Sequence, residues 1–104
     1  MIKVTYYVGM NDKDTLKQEL AKIDFVIELD KIFRDYTIYE AQGRFTNKLG
    51  EVTFERSLIV TTLIDDCTEA TLRQHVQHDC SVLKDKLNQE SILVEISKPE
   101  LMFL

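Results

Sequence analysis

The chain has 104 residues and a formal net charge of −5, and 44% of its residues are hydrophobic and 30% charged. This length supports a single core, so we expect residues 1–104 to form one domain. The composition, with only 3 glycines and 1 proline, is typical of a folded globular chain and excludes a disordered or repetitive one. The negative charge argues against nucleic acid as a partner, because its field repels phosphate.

The sequence also bears on the compartment. The N-terminus lacks the basic segment, apolar run and cleavage site of a secretory signal, which indicates a cytoplasmic location. The longest apolar stretch, SLIVTTLI at 57–64, is shorter than the roughly 20 residues of a membrane span, so no membrane is expected. In the cytoplasm, Cys67 and Cys80 are expected to stay reduced rather than form a disulfide.

The first predicted elements are a strand and an amphipathic helix. IKVTYYVG at 2–9 has an apolar residue at every second position, which is the period of a strand. Asn11 and Asp12 are candidate N-caps for a helix whose apolar residues recur at helical spacing, namely Leu16, Leu20, Ile23 and Ile27. The stretch ELDKIFRD at 28–35 is compatible with a second short helix or with a continuation of the first after a kink.

A hairpin follows. The segments YTIYEAQGRF at 36–45 and EVTFERSLIVTTLI at 51–64 are rich in β-branched and aromatic residues, which favour strands. They flank the turn NKLG at 47–50, so the two strands are expected to pair with each other.

A second helix and a final strand complete the chain. Asp66 and Glu69 resemble a capping box, ahead of a helix with the apolar residues Leu72, Val76, Cys80, Leu83 and Leu87. SILVEIS at 91–97 alternates as a strand. The apolar tail LMFL after Pro99 is a candidate for an extra C-terminal edge strand.

This order of elements predicts a ferredoxin-like α+β fold, βαββαβ, with a four-stranded antiparallel sheet and both helices on one face. Ile92, Val94 and Ile96 should face the helices together with the even-numbered residues of the first strand. The opposite face still carries apolar side chains, namely Tyr7, Tyr39, Phe45, Ile59, Leu63 and Leu93. Monomers rarely expose large apolar patches, so this face predicts a cover: a second copy, the C-terminal tail or a ligand.

The motif HVQHDC at 75–80 contains side chains that bind transition metals. His75 and Asp79 are four residues apart on the predicted helix and could contact the same ion. A zinc site takes three or four protein ligands, and no neighbouring residue clearly provides the third. The motif therefore predicts a polar helix face and no metal or other cofactor, with His75 and Asp79 as the candidate ligands if a metal does bind.

Several short motifs follow one another in the order and spacing of a known family. They are Tyr7 and Gly9, then Gln42, Gly43 and Phe45, then Gly50, Glu55 and Ser57, and finally Gln89, Glu90 and Ser91. In these motifs the chain resembles a family of small uncharacterised bacterial domains, domain of unknown function 3574. The resemblance implies a ferredoxin-like fold and a candidate polar binding cluster on neighbouring strands, formed by Gln42, Glu55, Ser57, Gln89 and Glu90. It carries no established activity, and the cluster's alternative role is to satisfy strand ends and a bulge at Gly43.

Two functions remain open at this stage. Because the chain has no phosphate-binding glycine loop and no hydrolase or metalloprotease signature, its motifs support no catalytic activity. We therefore expect a homodimer that associates through its sheet and presents a binding site to a small molecule or a protein. The alternative is a cofactor-free enzyme of the dimeric α+β barrel type, in which Tyr7, Glu55 or Glu90 acts as acid or base in a sheet-lined pocket.

Overall fold

The computed structural model describes residues 1–46 and 48–104, apart from the side chain of Phe45. Its elements are β1 (Ile2–Gly9), α1 (Lys22–Ile32), β2 (Thr37–Thr46), β3 (Val52–Ile64), α2 (Glu69–Leu87) and β4 (Leu93–Ser97). The strands form one antiparallel sheet in the order β2-β3-β1-β4. The predicted ferredoxin-like α+β fold is thereby confirmed. The predictions for Asn47 in the turn and for the Phe45 side chain fall outside the described residues.

The hydrophobic core lies between the helices and one face of the sheet. The strand register pairs Tyr6 with Val60 of β3 and with Val94 of β4, so these side chains share the helix-facing side. The even-numbered residues of β1 are almost completely buried there, as the period of two predicted. The helices cover them with Phe25 and Leu29 of α1 and with Leu72, Val76, Leu83 and Leu87 of α2.

The first helix differs from the sequence-based prediction. It begins at Lys22, about ten residues later than expected, and the stretch from Glu28 to Ile32 continues it. The predicted apolar stripe is wrong, since Leu16, Ile23 and Ile27 are exposed. The buried stripe consists of Phe25, Leu29 and Phe33 instead. Both sets have helical spacing, but the second set brings two aromatic rings to the core, and the Phe33 ring packs 5.1 Å from that of Tyr6.

The second helix has the predicted position, but its cap differs. The Thr68 side chain accepts a hydrogen bond from the backbone N–H of Thr71 at 3.2 Å, so Thr68 is the N-cap and the predicted capping box at Asp66 is wrong. The helix ends at Asn88, which adopts the left-handed conformation with φ 50°. Cys80, predicted to be core, is half-buried, and the tail LMFL forms no strand. Neither of the two helices in the described ranges has the length and apolar content to cross a membrane.

The face of the sheet turned away from the helices, here called the open sheet face, carries the odd-numbered residues of β1. Strand pairing brings Tyr39, Ile59 and Leu63 to the same face, together with Leu93. Tyr39, Leu63 and Leu93 are exposed, and the Tyr7 hydroxyl donates to Glu95 at 3.1 Å. The open sheet face therefore combines an apolar surface with a few polar contacts.

Candidate functional site

Glu55 of β3 lies at the end of the sheet where β1 finishes. Its carboxylate crosses over Gly9 and accepts a hydrogen bond from the backbone N–H of Asn11 at 3.1 Å. A Cβ atom at Gly9 would lie 2.5 Å from the Glu55 carboxylate, closer than real contacts allow. The glycine is therefore what permits this close approach of side chain to backbone.

The loop after β1 is anchored to the end of α2. The Asn88 side-chain amide donates to the carboxylate of Asp12 at 2.7 Å and to that of Asp14 at 2.9 Å. The other Asp12 oxygen accepts from the backbone N–H groups of Asp14 and Thr15. These bonds hold the pKa of Asp12 below its usual range, and the bond from Asn88 has the largest effect. The loop is thus fixed by contacts between residues far apart in sequence.

Leu16 in this loop has an unusual backbone conformation. Its φ is +60°, and among the described residues the only other non-glycine with positive φ is Asn88. Asparagine tolerates this region, whereas for a larger L-residue it costs about 1–2 kcal/mol. The Leu16 N–H donates to the carbonyl of Asp12 at 2.8 Å, which holds the conformation, and the side chain is 72% exposed.

Gln89 and Glu90 follow α2 and have different surroundings. Gln89 is buried, and its amide donates to the Asn11 carbonyl at 2.9 Å and to the Leu87 carbonyl at 3.3 Å. It therefore ties the loop after β1 to the end of the helix. Glu90 is exposed.

These residues surround a cleft of about 290 Å³, here called the Glu55 cleft. The loop after β1 contributes Asn11, Asp12, Lys13 and Leu16, β3 contributes Thr53 and Glu55, and the segment after α2 contributes Gln89, Glu90 and Ser91. Its volume lies just below the range of about 300–1,000 Å³ that is typical of small-molecule sites. No lysine or arginine of the described residues forms an ion pair with Glu55 or Glu90.

The structure brings together three of the five side chains of the predicted polar cluster. Glu55, Gln89 and Glu90 line the Glu55 cleft. Gln42 pairs with Arg56, so it lies on the helix-facing side of β2, and together with Glu55 it borders a second cleft of about 190 Å³. Ser57 shares the open sheet face with Glu55, pairs with Gly9 and Ala41, and does not line the Glu55 cleft. The binding role of the cluster stays a prediction.

Other contributors to the cleft were assigned differently or missed by the sequence analysis. Asn11 and Asp12 were interpreted as helix caps, and Asn88 and Leu16 were given no role in a site. The resemblance included Gly9, and a glycine at a strand end is a general signal of close backbone approach. No local pattern marks Leu16, because its conformation depends on the distant anchor at Asn88.

The histidine-rich motif of α2 contributes to a buried polar contact. Asp79 is 4% exposed, and one of its oxygens lies 3.3 Å from the Tyr6 hydroxyl and 3.3 Å from His75 Nε2. Burial raises the pKa of the Asp79 carboxyl, against the opposing effects of His75, Tyr6 and His78. Within residues 1–46 and 48–104, no group of three histidine, cysteine, aspartate or glutamate side chains could hold a metal.

The chain thus has a ferredoxin-like α+β fold with an acidic cleft at one end of the sheet. No family model and no curated protein sequence matches the chain. It is similar to the structure of a phage SAM lyase in complex with S-methyl-5'-thioadenosine, at 20% identity and a TM-score of 0.67, over 93% of this chain and 80% of that chain.

Two further solved structures are similar. A phage SAM lyase in the apo state has 22% identity and a TM-score of 0.70, over 92% of this chain and 78% of that chain. A DUF3240 family protein from Shewanella baltica has 8% identity and a TM-score of 0.49, over 99% of this chain and 94% of that chain. At identities this low, the likeness to the phage enzymes establishes a shared fold and nothing more.

Proposed function

We propose that this chain is a binding module for a small, positively charged ligand, which binds in the Glu55 cleft. The supporting observation is that the Glu55 and Glu90 carboxylates line one cleft without an ion-pair partner among the described lysines and arginines. Carboxylates gathered in a concave surface create a local negative potential that attracts a cation. Lys13 at the same cleft offsets one of these negative charges, and Asp12 in the lining adds another.

S-adenosylmethionine (SAM) is the first ligand to test. The similar phage structures are described as SAM lyases, and SAM carries a sulfonium cation and an ammonium group. The ammonium group can donate charge-assisted hydrogen bonds to a carboxylate, and the sulfonium, which has no hydrogen to donate, is attracted by its charge. The fold likeness is the reason to choose this ligand, and the position of Glu55 and Glu90 is the reason to choose this cleft.

Glu55→Gln is expected to weaken SAM binding by about tenfold or more, because it removes a charge-assisted contact worth about 1.5–3 kcal/mol. The glutamine oxygen can still accept from the Asn11 N–H, so the loop should keep its position. Isothermal titration calorimetry measures the affinity of both proteins. Glu100→Gln, at an exposed residue outside the cleft, is the matched control and should bind as the wild type does. S-adenosylhomocysteine binding as tightly as SAM would contradict the role given to the sulfonium charge.

The second candidate function is a cofactor-free lyase, and the likeness to the phage enzymes favours it. Of the acid or base candidates from the sequence, Glu55 and Glu90 line the cleft, whereas Tyr7 does not and donates to Glu95. A lyase would break the bond between the sulfonium sulfur of SAM and its amino acid chain, and the sulfur would keep the electron pair and leave as S-methyl-5'-thioadenosine, which chromatography detects. The remaining amino acid would either close a lactone through its own carboxylate or lose a proton to a cleft carboxylate and leave as an alkene. Release that disappears in Glu55→Gln or Glu90→Gln would favour the enzyme, while SAM binding without release would favour the binding module.

We further propose that the chain acts in the cytoplasm as a homodimer whose subunits meet at the open sheet face. Leu93 and Tyr39 on this face are 67% and 52% exposed. Covering apolar surface of this kind with a partner lowers the free energy and so favours association. Multi-angle light scattering should then give about 24 kDa, twice the 12.1 kDa of one chain.

Leu93→Glu should shift this mass toward that of a monomer, because it places a charge within the proposed interface. Ile23→Glu on α1 is the control, since Ile23 is similarly exposed but lies away from the sheet. A wild-type mass of 12.1 kDa that persists at high concentration would refute the dimer.

A further inference from the structure

Leu16 has two properties that are unfavourable in the free protein. It is a β-carbon-bearing residue held at φ +60°, and its apolar side chain is mostly exposed to water. A buried leucine would recover the conformational cost through hydrophobic contacts, but an exposed one recovers little of it. In the described part of the free chain, no contact therefore offsets the conformational cost of a leucine at this position.

The conformation of Leu16 is imposed by its surroundings. Asp12 accepts hydrogen bonds from the next turn of backbone and from the Asn88 side chain, and its carbonyl accepts from the Leu16 N–H. Asn88 itself is the left-handed C-cap of α2, so the loop rests on a regular element of the fold. Strain maintained by such anchors is typical of residues that contact ligands.

The Leu16 side chain lines the same cleft as Glu55 and Glu90. We propose that Leu16 is a specificity-determining residue that contacts the apolar or aromatic part of the ligand while the carboxylates contact its cation. This inference rests on the proposed function of the Glu55 cleft and narrows the ligand class to small molecules that join a cationic group to an apolar or planar one. Contact with such a group removes the Leu16 side chain from water, and the hydrophobic free energy gained then offsets the conformational cost.

Leu16→Gly separates this role from a structural one, because glycine adopts positive φ without strain. The variant should melt at the same temperature as the wild type or higher, yet bind both SAM and S-methyl-5'-thioadenosine about tenfold more weakly, through lost apolar contact. Leu16→Asn, which also tolerates this backbone region, should lose affinity in the same way. Ile23→Ala, at an exposed apolar residue outside the cleft, should leave both affinities unchanged.

The two probes distinguish failure of this inference from failure of the proposed function. S-methyl-5'-thioadenosine lacks the sulfonium and ammonium charges, so Glu55→Gln should weaken binding of SAM alone, whereas Leu16→Gly should weaken binding of both, measured by titration calorimetry. If Leu16→Gly bound each probe with the same affinity as the wild type, the role of Leu16 would be overturned, while the proposed function of the Glu55 cleft would be unaffected. A wild type that binds neither probe would overturn the proposed function and this inference with it. A Leu16→Gly variant with a changed light-scattering mass would assign Leu16 to a subunit contact and overturn the inference.

Discussion

Leu29→Ala should lower the free energy of unfolding by about 2–5 kcal/mol, because Leu29 is fully buried and its truncation leaves a cavity in the core. Leu29 lies on α1 beside Phe25 and faces the sheet. The loss should be visible in urea unfolding as a lower midpoint with little change in slope.

Ile27→Ala on the same helix is the matched control. Ile27 is 45% exposed, so its truncation should cost less than about 1 kcal/mol. The pair tests which face of α1 packs on the sheet, since the sequence pattern had placed Ile27 on the buried stripe. Equal losses in the two variants would contradict the helix orientation described here.

The error in the first helix has an identifiable physical cause. Leu16, Leu20, Ile23 and Ile27 are separated by four, three and four residues, which satisfies helical periodicity as well as Phe25, Leu29 and Phe33 do. Periodicity alone cannot choose between two such sets. The choice is made by tertiary contacts, since Asn88 holds the loop at Asp12 in a non-helical form and Tyr6 packs against Phe33. Both contacts join residues far apart in the chain, which a local pattern does not contain.

The sheet was more predictable because its pattern is locally determined. Alternation identified β1 and β4, and the hairpin segments identified β2 and β3, so the fold followed from the order of elements. The exact register was not accessible, and it decides which face Gln42 occupies. Gly43 is the residue opposite Glu55, which leaves Gln42 opposite Arg56 on the other face. A one-residue difference in register moves a side chain across the sheet, so Gln42 does not line the Glu55 cleft, although it shares a second cleft with Glu55.

Tyr6→Phe should destabilise the fold by about 1–3 kcal/mol at neutral pH, because it removes the hydroxyl that donates to the buried carboxylate of Asp79. Burial raises the pKa of Asp79, and the hydrogen bond from Tyr6 counteracts part of that rise. Without the hydroxyl, the pKa of Asp79 in the folded chain should rise further. Burial and the neighbouring Asp79 also raise the pKa of Tyr6 well above its usual range, so the phenol is a neutral donor throughout.

The cost of Tyr6→Phe should therefore depend on pH. A carboxyl whose pKa is raised on folding destabilises the folded chain while it is ionised, and this penalty is relieved as pH falls through the raised folded pKa toward the lower unfolded one. The relief should be larger in Tyr6→Phe than in the wild type, because its folded pKa is higher. Urea unfolding at about pH 7 and about pH 5 should show the difference between the two proteins shrinking on acidification.

Asp79→Asn provides the control for this pH dependence, since asparagine can still accept from Tyr6 but does not titrate. In an Asp79→Asn background, Tyr6→Phe should cost the same free energy at both pH values. His75, which lies 3.3 Å from Asp79, is present in all four proteins, so the comparison isolates the pair of Tyr6 and Asp79. A cost of Tyr6→Phe that is independent of pH in the presence of Asp79 would mean that the buried carboxylate is not its source. Phenylalanine keeps the ring that packs against Phe33, so the cost would then come from the space that the missing hydroxyl leaves in the core.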